Sequence, residues 1–318
     1  MRRHGLVRRA PAKSAMKVIE RLCGLHAQVM SSAEAMLDAR VAGDSSAQDL
    51  LDRGELVKTW SMRGTLHLLP AHEYGMWQAA FSTYDHFLKP AWSRASGLWP
   101  DDVARLIEAV GEALDGSLLT REELAVAVEE RTDARTGDLA RESWGNVLKP
   151  AAWAGKLVYG PSDGRSVRFT APPSFDPVDP AEALLEVTRR YLALNGPATR
   201  ESFARWWGVQ SPARAGRMLE ALGDEAVQVD VDGEPRWLLA ADVDEVAAAE
   251  PGGHRALVPA FDQYVVGLPR DVEALLPAEH KARVYRQAGW LTPALVVDGR
   301  IAGVWSEGED GPEIEEFE

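Results

Sequence analysis

Apolar residues recur at helical spacing from the start of the chain, and the pattern predicts a helix from Ala12 to about Ala27 with Val18, Leu22 and Leu25 on one face. A helix through Ala33 to Val41 and another from Ala47 to Arg53 follow, then a strand from Trp60 to Leu69. Farther on, one order recurs. Thr120 before Arg121-Glu122-Glu123-Leu124 and Thr199 before Arg200-Glu201-Ser202-Phe203 each read as an N-cap followed by acidic first-turn residues. Behind the first come a helix with Trp144 and Leu148 and a strand pair, Lys156 to Tyr159 and Ser166 to Phe169, closed by Ser162-Asp163-Gly164. Behind the second come Met218, Leu219 and Leu222, then strands Val227 to Val231 and Arg236 to Leu239 around Asp232-Gly233. Asp-Gly between alternating apolar residues is a hairpin signal.

Pro172-Pro173, Asp176-Pro177 and Asp179-Pro180 mark a linker, and after Pro251-Gly252-Gly253 the pattern changes to short apolar strands. These are Ala256 to Val258, Tyr264 to Val266, Leu295 to Val297 and, after an Asp298-Gly299 turn, Ile301 to Trp305. Helix, helix, hairpin is the winged helix-turn-helix order. The chain is therefore expected to be α+β, with three tandem winged helix-turn-helix units and a small C-terminal β-barrel-like domain. The expected boundaries are 1–98 with a basic N-terminal arm, 99–173, 174–249, 250–306 and an acidic tail at 307–318.

Two stretches break the apolar pattern. Gly24-Leu25-His26-Ala27-Gln28 puts an imidazole and a carboxamide where a core-facing helix should continue with apolar residues. Residues at i and i+2 do not share a helix face. The two side chains converge only if the helix ends or kinks there, or if their target sits over its end. The second stretch is Thr59-Trp60-Ser61-Met62-Arg63-Gly64-Thr65-Leu66-His67. Read as one strand, it sets Arg63, Thr65 and His67 on one face and Met62, Leu66 and Leu68 on the other.

Charge changes the picture only in its distribution. A formal net charge of -14 argues against a protein that coats DNA, because non-specific affinity comes from neutralised phosphates. Yet residues 1–21 carry Arg2, Arg3, Arg8, Arg9, Lys13, Lys17 and Arg21 against Glu20 alone. The seven acidic residues from Glu307 to Glu318 account for half of the net charge of -14. The basic arm reads either as a solvated terminus or as a phosphate-contacting element. A single cysteine, Cys23, builds neither a disulfide framework nor a cysteine zinc site, and its place on the apolar face suggests packing. No apolar run reaches membrane-spanning length, and the basic N-terminus lacks a secretory pattern, so a cytoplasmic location is expected. No phosphate-cradling glycine loop, metal-spaced His/Glu pair or Ser/His/Asp order is present, so neither metal nor cofactor is expected.

The His26-Ala27-Gln28 spacing with Trp60-x-x-Arg63-Gly64-Thr65-Leu66-His67 resembles the winged-helix DNA glycosylases of the azinomycin-resistance and bacterial interstrand-crosslink type. The resemblance continues through Gly196-Pro197-Ala198-Thr199-Arg200, Leu257-Val258-Pro259-Ala260-Phe261-Asp262-Gln263-Tyr264 and Val297-Asp298-Gly299-Arg300, ending at Trp305. It implies a C-shaped arrangement around a duplex and a monomeric enzyme acting on double-stranded DNA with alkylated purines. It also implies that catalysis rests on a Gln-x-Gln or Gln with Asp pair, whose second position matches Gln28 and whose first is here His26.

Alkylation at N7 of guanine or N3 of adenine makes the base a cationic leaving group, so the enzyme needs chiefly to place a water at C1′ and stabilise oxocarbenium-like charge. A carboxamide orients a water without titrating. A neutral imidazole, with an ordinary pKa of about 6.5, can take its proton. The alternative is that His26 bonds a backbone carbonyl and Gln28 caps a helix end.

Arg63 reads as a DNA phosphate contact, as a buttress of the His26/Gln28 site, or as part of a buried network that satisfies turns within the first domain. Trp60 is expected near the site, whereas Trp144, Trp153, Trp206, Trp207 and Trp237 are expected in cores. Asp262 and Tyr264 either return to the same cleft or order a contact between domains. Besides a monofunctional glycosylase serving repair or self-resistance to a genotoxic natural product, a winged-helix transcription regulator and a non-catalytic DNA-binding protein remain open. None of the three winged units shows a recognition helix rich in base-reading side chains.

Overall fold

The first helix stops before the motif begins. After a 3-10 turn at Ala12–Ser14, α1 (Ala15–Arg21) ends in a Schellman closure, with the Gly24 N–H donating to the Ile19 carbonyl and the Cys23 N–H to that of Glu20. Cys23 takes the left-handed position of that closure at φ 59, and Gly24 follows at φ 90. The helix expected to reach Ala27 therefore ends at Arg21. A left-handed pair cannot continue an α-helix.

A computed structural model describes residues 1–317 apart from 143–144, 163–165 and 209–210, so Trp144 and the Asp163-Gly164 turn lie outside the described residues. The chain divides into two units, Met1–Asp49 with Leu185–Glu318, and Leu50–Leu184. In the first, Ala10–Pro11 (β1) pairs in parallel with Val41–Ala42 (β3), flanking Leu25–His26 (β2) and α2 (Met30–Asp38). Helix α3 (Ala47–Asp52) begins where the Glu34 carboxylate accepts the Ala47 and Gln48 N–H groups at 2.8 and 2.7 Å. The basic arm is partly tied down. His4 and Leu6 are buried, Arg3 pairs with Asp242 at 3.0 Å, and Arg9 donates to the Val41 carbonyl, whereas Arg2 and Arg8 stay exposed.

The second unit starts with a hairpin, not the single strand expected from Trp60 to Leu69. Leu56–Trp60 (β4) and Leu66–Pro70 (β5) run antiparallel, and between them Arg63 and Gly64 turn the chain at φ 59 and 67. Helices α4 (Tyr74–Phe81), α5 (Pro90–Ser96) and α6 (Pro100–Leu114) lead to Leu118–Thr120 (β6). Helix α7 (Arg121–Arg131) opens with the expected Thr120 N-cap, here closed as a capping box in which the Glu123 N–H donates to the Thr120 hydroxyl and the Thr120 N–H to the Glu123 carboxylate. After α8 (Ala134–Arg141) and α9 (Lys149–Trp153) come Val158–Tyr159 (β7) and Arg168–Thr170 (β8). The strands line up as β5-β4-β7-β8-β6, and Leu106, Val110, Leu124, Val128, Leu148 and Phe169 fill the core beneath them.

The chain leaves this unit through α10 (Pro180–Asn195) and continues with α11 (Arg200–Trp207), capped by Thr199, and α12 (Pro212–Glu220), capped by Ser211. The antiparallel pair Ala226–Val231 (β9) and Glu234–Leu239 (β10) turns at Asp232 and Gly233, both at positive φ, 55 and 84, the signature of a type I′ hairpin. After α13 (Val243–Ala247) come Arg255–Val258 (β11) and α14 (Gln263–Gly267), then α15 (Lys281–Val284). Tyr264 to Val266, expected as a strand, is helical because Asp262 caps it, its carboxylate accepting the Tyr264 N–H at 2.8 Å.

The last strands, Ala294–Val297 (β12), Arg300–Gly308 (β13) and Gly311–Glu316 (β14), form with β11 a sheet in the linear order β11-β12-β13-β14. It is an open sheet where a barrel-like domain was expected. Its outer hairpin takes up most of the segment expected as an acidic tail at 307–318: Ile314 lies opposite Trp305, and Arg255 meets Glu316 at 2.6 Å. No helix of the described residues is long and apolar enough to cross a membrane.

Candidate active site

Because α1 ends early, His26 lies on a short strand and Gln28 on the irregular link between it and α2. The helical rotation that would turn them away from each other is absent. The two differ sharply in environment: His26 is 3 % exposed, whereas Gln28 is exposed at the surface. An accessible carboxamide beside a packed imidazole suits a group that meets substrate next to a group that is held in place.

The packing over His26 comes from the segment between β11 and α14. Phe261, itself left-handed at φ 60, lays its ring face to face on the imidazole, with centroids 4.8 Å apart and planes 8° from parallel. Gln263, buried, donates to the Gly24 carbonyl at 3.4 Å, tying the same segment to the turn before the motif.

Asp262 anchors it from below. Its carboxylate accepts from both terminal nitrogens of Arg40, at 2.8 and 2.7 Å, and both side chains are 0 % exposed. Two further Arg40 N–H groups donate to the carbonyls of His4 and Met36 at 2.7 and 3.0 Å. Asp262 therefore acts inside the fold, with no surface left for DNA. Tyr264 is likewise spent on structure: its hydroxyl donates to the Gly299 carbonyl at 2.5 Å, and burial pushes the phenol above its usual range. His4 meets the Tyr264 ring edge-on at 4.9 Å, and burial, aided by the charge of Arg40, holds its imidazole well below the usual value.

The residues of the Trp60–His67 run belong to the second unit. Trp60 is 3 % exposed and packs against Tyr159 at 5.0 Å and Phe169 at 6.1 Å, so it is a core residue and not a surface contact. His67 is buried on β5 with Nδ1 3.3 Å from the Thr65 carbonyl, and the Thr65 hydroxyl donates to the Met62 carbonyl at 3.0 Å. Arg63 is half-buried at the turn, and Lys149, hydrogen-bonded to Asn146 at 3.1 Å, lies against Gly64. Burial lowers the Lys149 pKa.

Three residues of this arrangement are not marked by the sequence as site residues: Arg40, and Phe261 and Gln263, which stand only within the run Leu257 to Tyr264. The sequence shows Arg40 only as a cation just past the end of α2, next to apolar Val41. For Phe261 no local pattern shows the role, since its left-handed backbone and its stacking depend on contacts far along the chain.

Residues 19–313 match the family profile described as DNA glycosylase AlkZ-like. Over 304 residues the chain is 40 % identical to a Streptomyces sahachiroi protein named interstrand DNA cross-link repair glycosylase, an alignment spanning 92 % of this chain and 82 % of that one. The solved structure of the Streptomyces sahachiroi DNA glycosylase AlkZ is similar with a TM-score of 0.91 and 38 % sequence identity, covering 100 % of this chain and 88 % of that one.

Proposed function

The chain belongs to the AlkZ-like DNA glycosylase family, and from that premise we propose that it hydrolyses the N-glycosidic bond of purines alkylated at guanine N7 or adenine N3 in duplex DNA. The substrates extend to bulky adducts and to interstrand crosslinks, the class named for the Streptomyces relative. We read the two helix-helix-hairpin stretches that end in β7–β8 and β9–β10, with the N-terminal helices and β4–β5, as winged-helix units that present the site to the duplex. The protein works as a cytoplasmic monomer, in repair or in self-resistance to a DNA-alkylating natural product.

The observation that carries the reading is the exposed Gln28 carboxamide two residues from an imidazole clamped under Phe261. In the proposed reaction Gln28 holds a water against C1′. The water oxygen bonds to C1′ as the C1′–N bond breaks, its electron pair leaves with the base and cancels the positive charge there, and the water proton passes to neutral His26 or to solvent. Stacking on Phe261 fixes the imidazole plane. Arg63 and Lys149 are proposed as phosphate contacts.

Single-turnover release of N7-methylguanine from a duplex tests this. Gln28→Ala is expected to lower the rate about 10²–10³-fold with DNA affinity retained, the usual cost of losing one positioned catalytic group. A wild-type rate that falls as pH drops through the His26 pKa, and a His26→Gln enzyme without that acidic limb, assign the proton to His26. Full activity in a folded Gln28→Ala protein removes Gln28 from the mechanism.

A further inference from the structure

Trp290 is one of the two most exposed large apolar side chains among the described residues of the unit that holds His26, at 52 %; the other, Ile314 at 44 %, is accounted for by its strand partner Trp305. The indole is not a stray surface group. It meets the Phe261 ring edge-on, with centroids 4.9 Å apart and planes at 76°, while Phe261 stacks on His26 at 4.8 Å. With those two distances the indole lies less than about 10 Å from the imidazole.

Its carrier is a closed turn: the Arg286 N–H donates to the Trp290 carbonyl at 2.8 Å, the Trp290 N–H to that of Gln287 at 3.2 Å, and Tyr285 bridges Leu291. Gly289, at φ 77, supplies the left-handed bend that this closure requires. Both ends of the contact are thus fixed, one by the turn and one by Phe261 with its neighbour Asp262 on Arg40.

A half-exposed indole beside a site for a planar base offers one kind of recognition, stacking on a flat π-system. Such stacking tolerates any base and is worth about 5- to 150-fold in affinity. Trp290 is set one ring outward from His26. Its reach is therefore to a group that projects from the base, not to the base atoms at the bond that breaks.

We propose that Trp290 is a specificity-determining residue whose exposed indole stacks on a planar aromatic substituent carried by the lesion, so that adducts bearing an aryl group are preferred over a bare methyl. The proposal rests on the reading of His26 and Gln28 as the hydrolytic site. A methyl group cannot span from that site to the indole, whereas a fused-ring aryl group on N7 can lie across it. A wedge pushed between base pairs would instead act on every duplex alike and would not separate the two substrates.

The test compares duplexes that differ at one guanine, N7-methylguanine or N7-(anthracenylmethyl)guanine, with wild type, Trp290→Ala and Trp290→Phe. The aryl-to-methyl ratio of kcat/KM is expected to fall at least about tenfold in Trp290→Ala, through KM, and to be largely kept by Trp290→Phe. An unchanged ratio, whether both substrates fall together or neither does, overturns the proposal. A parallel anisotropy titration of the anthracenylmethyl duplex separates the two readings. If wild type releases neither base yet binds the aryl duplex at least about tenfold more tightly than Trp290→Ala does, the hydrolytic reading fails and the stacking stands. Equal binding by wild type and Trp290→Ala overturns the stacking.

Discussion

Replacing Asp262 by alanine isolates the strut that holds the aromatic cover over His26. The carboxylate accepts three hydrogen bonds, two from Arg40 and one from the Tyr264 N–H. Its removal strands a guanidinium that is 0 % exposed with only two carbonyls, those of His4 and Met36, as partners. Breaking one side of a buried ion pair costs about 3–5 kcal/mol, because the surviving charge cannot be rehydrated. The uncapped Tyr264 N–H adds about 1 kcal/mol.

The expected loss is thus about a quarter or more of the roughly 5–15 kcal/mol that folds a typical domain. Urea unfolding followed by far-UV circular dichroism should show a lower midpoint with an unchanged slope. Arg40→Met with Asp262→Leu removes both charges together, so the double variant should lose clearly less than the sum of the single ones. A cost for Asp262→Ala below about 1 kcal/mol, or strict additivity in the cycle, would refute the argument, since an exposed or weakly coupled pair behaves that way.

Two further outcomes follow from local geometry. Because the His4 imidazole is held well below 6.5, the unfolded chain binds a proton that the fold refuses, so stability is full above about pH 6.5 and declines as the pH falls below it. His4→Gln should flatten that decline in unfolding midpoints measured from pH 7.5 to 5, and an identical slope in both proteins would remove His4 as its source. Gly137 lies on α8 where an added Cβ would come within 2.6 Å of the Glu129 Cβ and 3.2 Å of the Ala125 carbonyl on α7. Gly137→Ala should therefore destabilise by about 1–3 kcal/mol through overpacking, reversing the gain of up to about 1 kcal/mol that alanine brings to an open helix site. A raised thermal midpoint would show that the helices have room to part.

The features legible along the chain are those whose physics is local. Thr120 with Glu123 and Thr199 announce helix starts because the cap is made within three residues. Asp232-Gly233 and Asp298-Gly299 announce hairpins because those residue types tolerate the positive φ they adopt, 55 and 84 in one turn and 45 and 92 in the other. The His26 and Gln28 pair stood out for a related reason, as polar groups in an apolar run.

Other features were settled by contacts between distant segments. Cys23 takes a left-handed position usually filled by glycine and so ends α1 early, which the helical periodicity up to Leu25 conceals. The short apolar run Tyr264 to Val266 suits strand or helix alike, and the Asp262 cap decides for helix. Trp60, flagged by its polar neighbours, is absorbed by Tyr159 and Phe169 on strands about a hundred residues later. The role of Asp262 follows from Arg40, 222 residues away in sequence. A buried charge is stable only against its partner, and neither residue carries a mark of the other until the chain has folded.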